Sequence, residues 1–307
     1  MIYVATPHSH HFQNTMLCLQ AGKNVLVEKP ATVNVSQLKA LLEVAREKNV
    51  FFMEAVWTRY FPLSIAVRKA VTDKAVGKIK RVTADLSMTE PGKDGRLAWD
   101  DTHRLVNPDL AGGALLDVGI YALTWNFQIL YHLQEGAEKE KPKIVSALNK
   151  YDTGADEETA IILQFPKHAN MGIATTSLRT RTYATGFGDS EAMLQIGPSI
   201  RIFGETGEIQ VFGPPFRPQA YRIVTTEGVG EIKKCEIPGG HGMFWEADEV
   251  ALCLRDGKKE SAGMPWEESM AVLEAMDEVR RQNGLVYPDA VETSVYEETG
   301  EMNGKKA

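Results

Sequence analysis

Three stretches of the sequence carry side chains able to move a proton or steady an oxyanion. Glu28-Lys29-Pro30 closes the apolar run Val25-Leu26-Val27. If that run is a parallel strand, the Glu–Lys pair stands at its carboxyl end, where open α/β sheets bind ligands. An ammonium beside a carboxylate can polarise a carbonyl or shuttle a proton there; a solvated strand end would read the same way. In Gly112-Gly113-Ala114-Leu115-Leu116-Asp117-Val118-Gly119-Ile120-Tyr121, a helix starting near Gly113 would project Asp117 and Tyr121 from one face. They form either a carboxylate–phenol pair for binding and proton transfer, or a buried tyrosine beside a capping aspartate. Trp57 and Arg59 follow a third apolar run and either line the same cleft or cover a domain joint. His8, His10 and His11 cluster, but no Cys or further His stands at matching spacing, which favours a helix start beside a cofactor or solvent over a metal site. GxSxG, P-loop and HExxH motifs are absent from the sequence, so hydrolase, NTPase and zinc-protease chemistry has no support.

The elements that must hold these groups change period part-way along the chain. Ile2 to Ala5 reads as a buried strand, Phe12 to Ala21 as a helix stopped by Gly22, and Asn24 to Glu28 as a strand ended by Pro30. A helix capped by Asn34 or Ser36 follows, and then a strand at Val50 to Met53. Residues 1–55 therefore read β-α-β-α-β, which implies a parallel sheet. From about residue 78 the pattern alternates, through runs at 78–86, 143–148, 158–165, 171–178, 191–196, 200–204, 208–212 and 222–226, with one helix near 113–132. That predicts a large, mainly antiparallel open sheet. Pro265 to Gln282 is an amphipathic helix that could pack back on the first unit. The expected fold class is α/β followed by α+β, with units at 1–56 and 57–290 and a fraying polar tail at 291–307.

Composition narrows the partners. The 307 residues carry 34 Lys+Arg against 41 Asp+Glu, a net charge of −7, which argues against a protein that neutralises phosphates and so against nucleic acid. Cys18, Cys235 and Cys253 are too few and scattered for a disulfide framework and suit a reducing, cytoplasmic setting. No apolar run approaches the ~18 residues that cross a bilayer, so a membrane partner is not expected.

Taken together, Thr6-Pro7 with His11, the run Ala21-Gly22-Lys23-Asn24-Val25-Leu26-Val27-Glu28-Lys29-Pro30, and Gly112-Gly113 through Tyr121 resemble the Gfo/Idh/MocA oxidoreductase family. Glu54 to Pro62 and Glu246 to Val250 are similar to its branch of dimeric dihydrodiol dehydrogenases and NADP-dependent D-xylose 1-dehydrogenases. The resemblance implies a Rossmann domain for NADP, with NAD also admitted, then an α+β domain whose open sheet pairs two subunits in a homodimer. It implies Lys29 and Tyr121 as catalytic residues, Asp117, Trp57 and Arg59 as contacts to a small sugar or diol, and Thr6, Pro7, His11, Glu28 and Lys29 as contacts to the cofactor. In the mechanism it implies, Tyr121 takes the substrate's hydroxyl proton, Lys29 steadies the developing oxyanion, and hydride passes to the nicotinamide. Oxidation of a pyranose such as D-xylose to its lactone is the leading expectation. A trans-dihydrobenzenediol is the alternative substrate, and a cofactor-less dimerisation module the alternative of another class. The family's Gly-rich βαβ turn, and the segment that selects NAD or NADP, would precede Met1. The expectation is accordingly an incomplete chain or a short paralogue, with a half sheet that exposes an edge.

Overall fold

Val25 and Val27 have no exposed surface and Leu26 only 4%, the signature of a strand covered on both faces. The computed structural model, which describes residues 1–182, 194–298 and 300, places them in the middle of a three-stranded parallel sheet. Strand β2 (Val25–Glu28) pairs with β1 (Ile2–Val4) on one side and β3 (Phe52–Ala55) on the other. The crossovers are α1 (His8–Gln20) and α2 (Val35–Glu47). Asn34 caps α2 by accepting from the Gln37 N–H at 2.9 Å. Its buried stripe of Leu38, Leu41, Leu42 and Ala45 packs on the sheet, each fully buried leucine contributing roughly 1.5–3 kcal/mol. The third strand sits two residues later than the sequence pattern suggested, because Val50 and Phe51 are buried in the approach to it.

A short 3-10 turn (Trp57–Tyr60) and α3 (Pro62–Thr72) lead to the second sheet. The latter helix, unassigned from sequence, opens on a proline in its first turn. Among the described residues the second sheet has nine strands. Its main path runs β11 (Gly228–Val229), β10 (Ala220–Thr225), β9 (Gly207–Phe212), β8 (Ile200–Gly204), β4 (Ile79–Ser87), β7 (Asn170–Ser177), β6 (Asp156–Phe165), β5 (Lys143–Lys150), with β12 (Lys233–Lys234) on β10. All pairings are antiparallel except β4 with β7, so the sheet is mixed rather than purely antiparallel. Of the strand expected at 191–196, residues 191–193 lie outside the described residues and 194–196 form a helical turn.

One face of this sheet is covered by α4 (Ile120–Leu130), every residue of which is buried. After α5 (Phe244–Arg255), also unassigned from sequence, α6 (Trp266–Asn283) touches both sheets. Its Trp266 Nε1 donates to the Phe52 carbonyl at 2.8 Å, its Asp277 accepts from the Val35 N–H at 2.9 Å, and its Gln282 donates to the Ile144 carbonyl at 2.8 Å. The segment expected to fray is held through residue 297. After α7 (Asp289–Glu292), Gln37 donates to the Val291 and Thr293 carbonyls, and Gln13 donates to Val295 and accepts from the Glu297 N–H. Side-chain amides on α1 and α2 thus supply partners that polar composition alone does not reveal.

Candidate active site

A cavity of about 490 Å³ opens between the carboxyl ends of β1 and β2 and the start of the helix that carries Asp117 and Tyr121. Thr6, Pro7, His8, His11, Glu28 and Lys29 line it from the first sheet. Asp117, Val118, Tyr121, Phe216 and Arg104 line it from the second unit.

The helix begins as a wide π turn (Leu115–Gly119) before continuing as α4, an irregularity that recurs at functional sites. Two glycines make this start feasible. Gly113 has φ +133°, and a Cβ there would lie 1.9 Å from Asp156 Oδ1. Without one, Asp156 reaches the turn and accepts from the Leu115 N–H at 2.6 Å. A Cβ on Gly112 would lie 2.6 Å from the Arg104 carbonyl, so this glycine lets the preceding loop dock. Gly113→Ala is expected to cost about 2 kcal/mol or more by combining backbone strain with a displaced cap, readable as a lowered midpoint in denaturant unfolding.

Lys29 follows β2 and is 9% exposed. Its ammonium donates to Asp117 Oδ1 at 3.0 Å and to the Asp117 carbonyl at 2.5 Å, and lies 4.9 Å from the centre of the Tyr121 ring. Arg104 Nη1 donates to the same Asp117 oxygen at 3.0 Å. Burial opposes ionisation of Asp117, but the Lys29 and Arg104 cations outweigh it and hold the carboxyl well below the usual range. His8 Nε2 lies 3.7 Å from that oxygen, yet burial pushes its pKa down to about 3 against the pull of Asp117. The imidazole is therefore neutral at pH 7, and the two true cations carry the pairing.

Tyr121 accepts from Trp57 Nε1 at 2.8 Å, which leaves its own O–H free to donate into the cavity. Burial pushes its pKa well above the ordinary phenol value, Trp57 opposes this, and Glu28, Asp117 and Glu246 add to it. Trp57 itself is not a cavity residue. It stands behind Tyr121, its ring stacked on Phe216 at 6.1 Å. His11 is fully buried, its ring nitrogens 2.8 Å from the Thr6 carbonyl and 2.7 Å from that of Pro30. It fastens the turn after β1 to the Lys29-Pro30 turn. Arg59 is not brought to the cavity at all. It is 1% exposed and pairs with Glu268, so of the two roles open to it from sequence the domain joint is the one the structure shows. Sequence reading also missed Asp156 and Phe216, which stand far from the motifs in the chain, and left Arg104 unnamed although it stands in the loop just before the Gly112-Gly113 turn. Among the described residues no group of three or more His, Cys, Asp and Glu could hold a metal.

Two family models match. Residues 1–56 fit "Oxidoreductase family, NAD-binding Rossmann fold" and residues 65–210 fit "GFO/IDH/MocA C-terminal domain". The D-xylose 1-dehydrogenase (NADP(+)) of Hypocrea jecorina is 52% identical over 99% of this chain and 78% of its own length. The chain belongs to the Gfo/Idh/MocA oxidoreductase family. Within that family it is also 31% identical to the trans-1,2-dihydrobenzene-1,2-diol dehydrogenase of Homo sapiens, over 93% of this chain and 78% of the relative. The Gfo/Idh/MocA fold is seen again in the crystal structure of aldose-aldose oxidoreductase from Caulobacter crescentus, with TM-score 0.71 at 21% identity over 91% of this chain and 75% of that one.

Proposed function

We propose that this chain is an NADP-dependent oxidoreductase acting on a sugar hydroxyl, with D-xylose oxidised at C1 to its lactone as the reference reaction. The observation that carries this is the convergence of Lys29, Asp117 and Tyr121 on one cavity, with the Tyr121 hydroxyl free to donate. The choice of sugar and of NADP rests on the relative at 52% identity. The diol relative at 31% supports a trans-dihydrobenzenediol as second substrate.

The residues present fit such a cofactor. Thr6 lines the cavity, and its hydroxyl is buried with no hydrogen-bond partner among the described residues. The adjoining N-terminus of α1 has neither a side-chain cap nor an acidic residue in its first turn, leaving its N–H groups and dipole to face an anionic ligand. Thr6, Pro7 and Glu28 would hold the cofactor, which supplies the hydride acceptor. Tyr121 exchanges the proton of the reacting hydroxyl. Lys29, fixed by Asp117, supplies positive charge where the oxygen becomes anionic. His11 keeps the Thr6 and Pro30 turns in place.

The test is formation of reduced cofactor on adding D-xylose, then trans-dihydrobenzenediol, to the chain with NADP. Cofactor reduction that saturates in sugar is expected; silence with both substrates despite cofactor binding would overturn the reading. Self-association through the open face of the second sheet has support from Val145 and Ile162, paired across β5 and β6 yet 62% and 40% exposed. Sedimentation should give a dimer that Ile162→Glu dissociates. The three unpaired cysteines support a reducing, cytoplasmic setting, and no helix among the described residues is long and apolar enough to cross a membrane.

A further inference from the structure

Arg104 is the cavity residue with the least to do in the reaction just described. It comes from the loop before the helix, its side chain is 56% exposed, and its backbone is docked over Gly112. Its one hydrogen bond among the described residues is from Nη1 to Asp117 Oδ1 at 3.0 Å, leaving Nε and Nη2 free beside the cavity. An arginine kept only to balance Asp117 would be redundant, since Lys29 already sits 3.0 Å from that same oxygen.

Geometry then decides what the spare donors can reach. Lys29 and Arg104 each stand 3.0 Å from one oxygen, so their nitrogens are separated by less than twice that distance. A hydroxyl engaged by Lys29 and Tyr121 therefore brings the oxygens on neighbouring ring carbons towards the guanidinium. The other oxygen of Asp117 offers an acceptor alongside those donors, and a sugar hydroxyl needs one of each. On the side of the second unit the remaining wall around this pair is apolar, with Leu86, Met88, Leu110, Val118 and Phe216, and the polar Thr6 and Glu28 stand on the first-sheet side assigned to the cofactor, so polar recognition of the substrate away from the reacting carbon is concentrated at this pair.

We propose that Arg104, with Asp117, is a specificity-determining subsite for the hydroxyls beyond the reacting one, and that it favours polyhydroxylated rings over substrates poor in hydroxyls. This rests on the oxidoreductase reading of the same cavity. Arg104 is not a catalytic residue in this scheme; it reads the substrate's remaining hydroxyls.

The experiment is a chemical double-mutant cycle read by calorimetric binding. The wild-type, Arg104→Ala and Arg104→Lys chains are titrated with D-xylose and with its 2-, 3- and 4-deoxy analogues, with reduced cofactor present so that no oxidation runs. Arg104→Ala should bind D-xylose about tenfold more weakly, with Arg104→Lys in between. At least one deoxy analogue should be weakened to the same degree in wild type and no further in Arg104→Ala. If Arg104→Ala binds D-xylose as wild type does, or loses an equal factor for D-xylose and every analogue, the subsite proposal is overturned while the oxidoreductase reading stands. If wild type binds neither D-xylose nor any analogue, both fall together.

Discussion

Lys29→Ala is expected to lower turnover on the order of a hundredfold or more, with Tyr121→Phe at least as damaging. The two losses have different causes. Tyr121→Phe removes the group proposed to exchange the substrate proton, together with the acceptor for Trp57 Nε1. Lys29→Ala leaves that phenol in place but strips the cation from its ring face at 4.9 Å, and the phenol is already hard to ionise because it is buried. A base form disfavoured in this way gives a definite sign to the pH dependence. Oxidation needs Tyr121 to accept a proton, so its rate should climb as pH rises through the alkaline range, and Lys29→Ala should push that climb higher still. Reduction uses the neutral phenol and should be flat over the same range. Arg104 stays with Asp117 when Lys29 is removed, so the carboxylate keeps a partner and the fold should survive. Steady-state rates against pH, beside a melting curve for each variant, separate these effects. Near-normal turnover in Lys29→Ala would refute its role.

How far the sequence reveals this site depends on how local each cause is. The β-α-β-α-β run of residues 1–55, the Asn34 cap and the leucine stripe of α2 follow from periodicity and capping chemistry, and the structure places them within two residues of expectation except at the start of α1, which comes four residues earlier, at His8. Glu28, Lys29, Asp117 and Tyr121 were visible because a strand end and a helix face fix their geometry. The sequence leaves Arg59 open between its two roles because it lies two residues from Trp57 but turns the other way. The partner that claims it, Glu268, is more than two hundred positions away. The contacts that Asp156 and Arg104 make with the helix start are hidden in the sequence as well. Each acts on the Gly112-Gly113 turn from another element, and only the glycines hint that something must approach closely. The parallel pairing of β4 with β7 was equally hidden, since alternation marks a strand and not its neighbour's direction.

The pair that claims Arg59 sets the second large expectation, a loss of about 3–5 kcal/mol in Glu268→Ala. Arg59 Nη1 and Nη2 donate to the two Glu268 oxygens at 2.6 and 3.1 Å, and Nε donates to the Gly263 carbonyl at 2.6 Å. His132 Nδ1 lies 2.7 Å from the second carboxylate oxygen. The two charged side chains are 1% and 0% exposed, so removing the carboxylate strands a guanidinium where water cannot replace it. Burial alone would raise the Glu268 pKa, but Arg59 and His132 outweigh it and hold it below the ordinary carboxylate value. A carboxyl depressed in the folded state adds stability that is present above its unfolded pKa and lost as pH falls through its folded one. Wild-type stability should therefore drop in acid more steeply than that of the variant. Replacing both partners by apolar residues, as in Arg59→Met with Glu268→Leu, should cost far less than Glu268→Ala, because no charge is left unpaired. Denaturant unfolding of the three chains decides it, and a loss below about 1 kcal/mol in Glu268→Ala would show that Arg59 finds solvent after all. The effect reaches the cavity as well. Arg59 lies in the same short turn as Trp57, whose indole holds the Tyr121 hydroxyl, so Glu268→Ala should also depress turnover at temperatures where the chain is still folded.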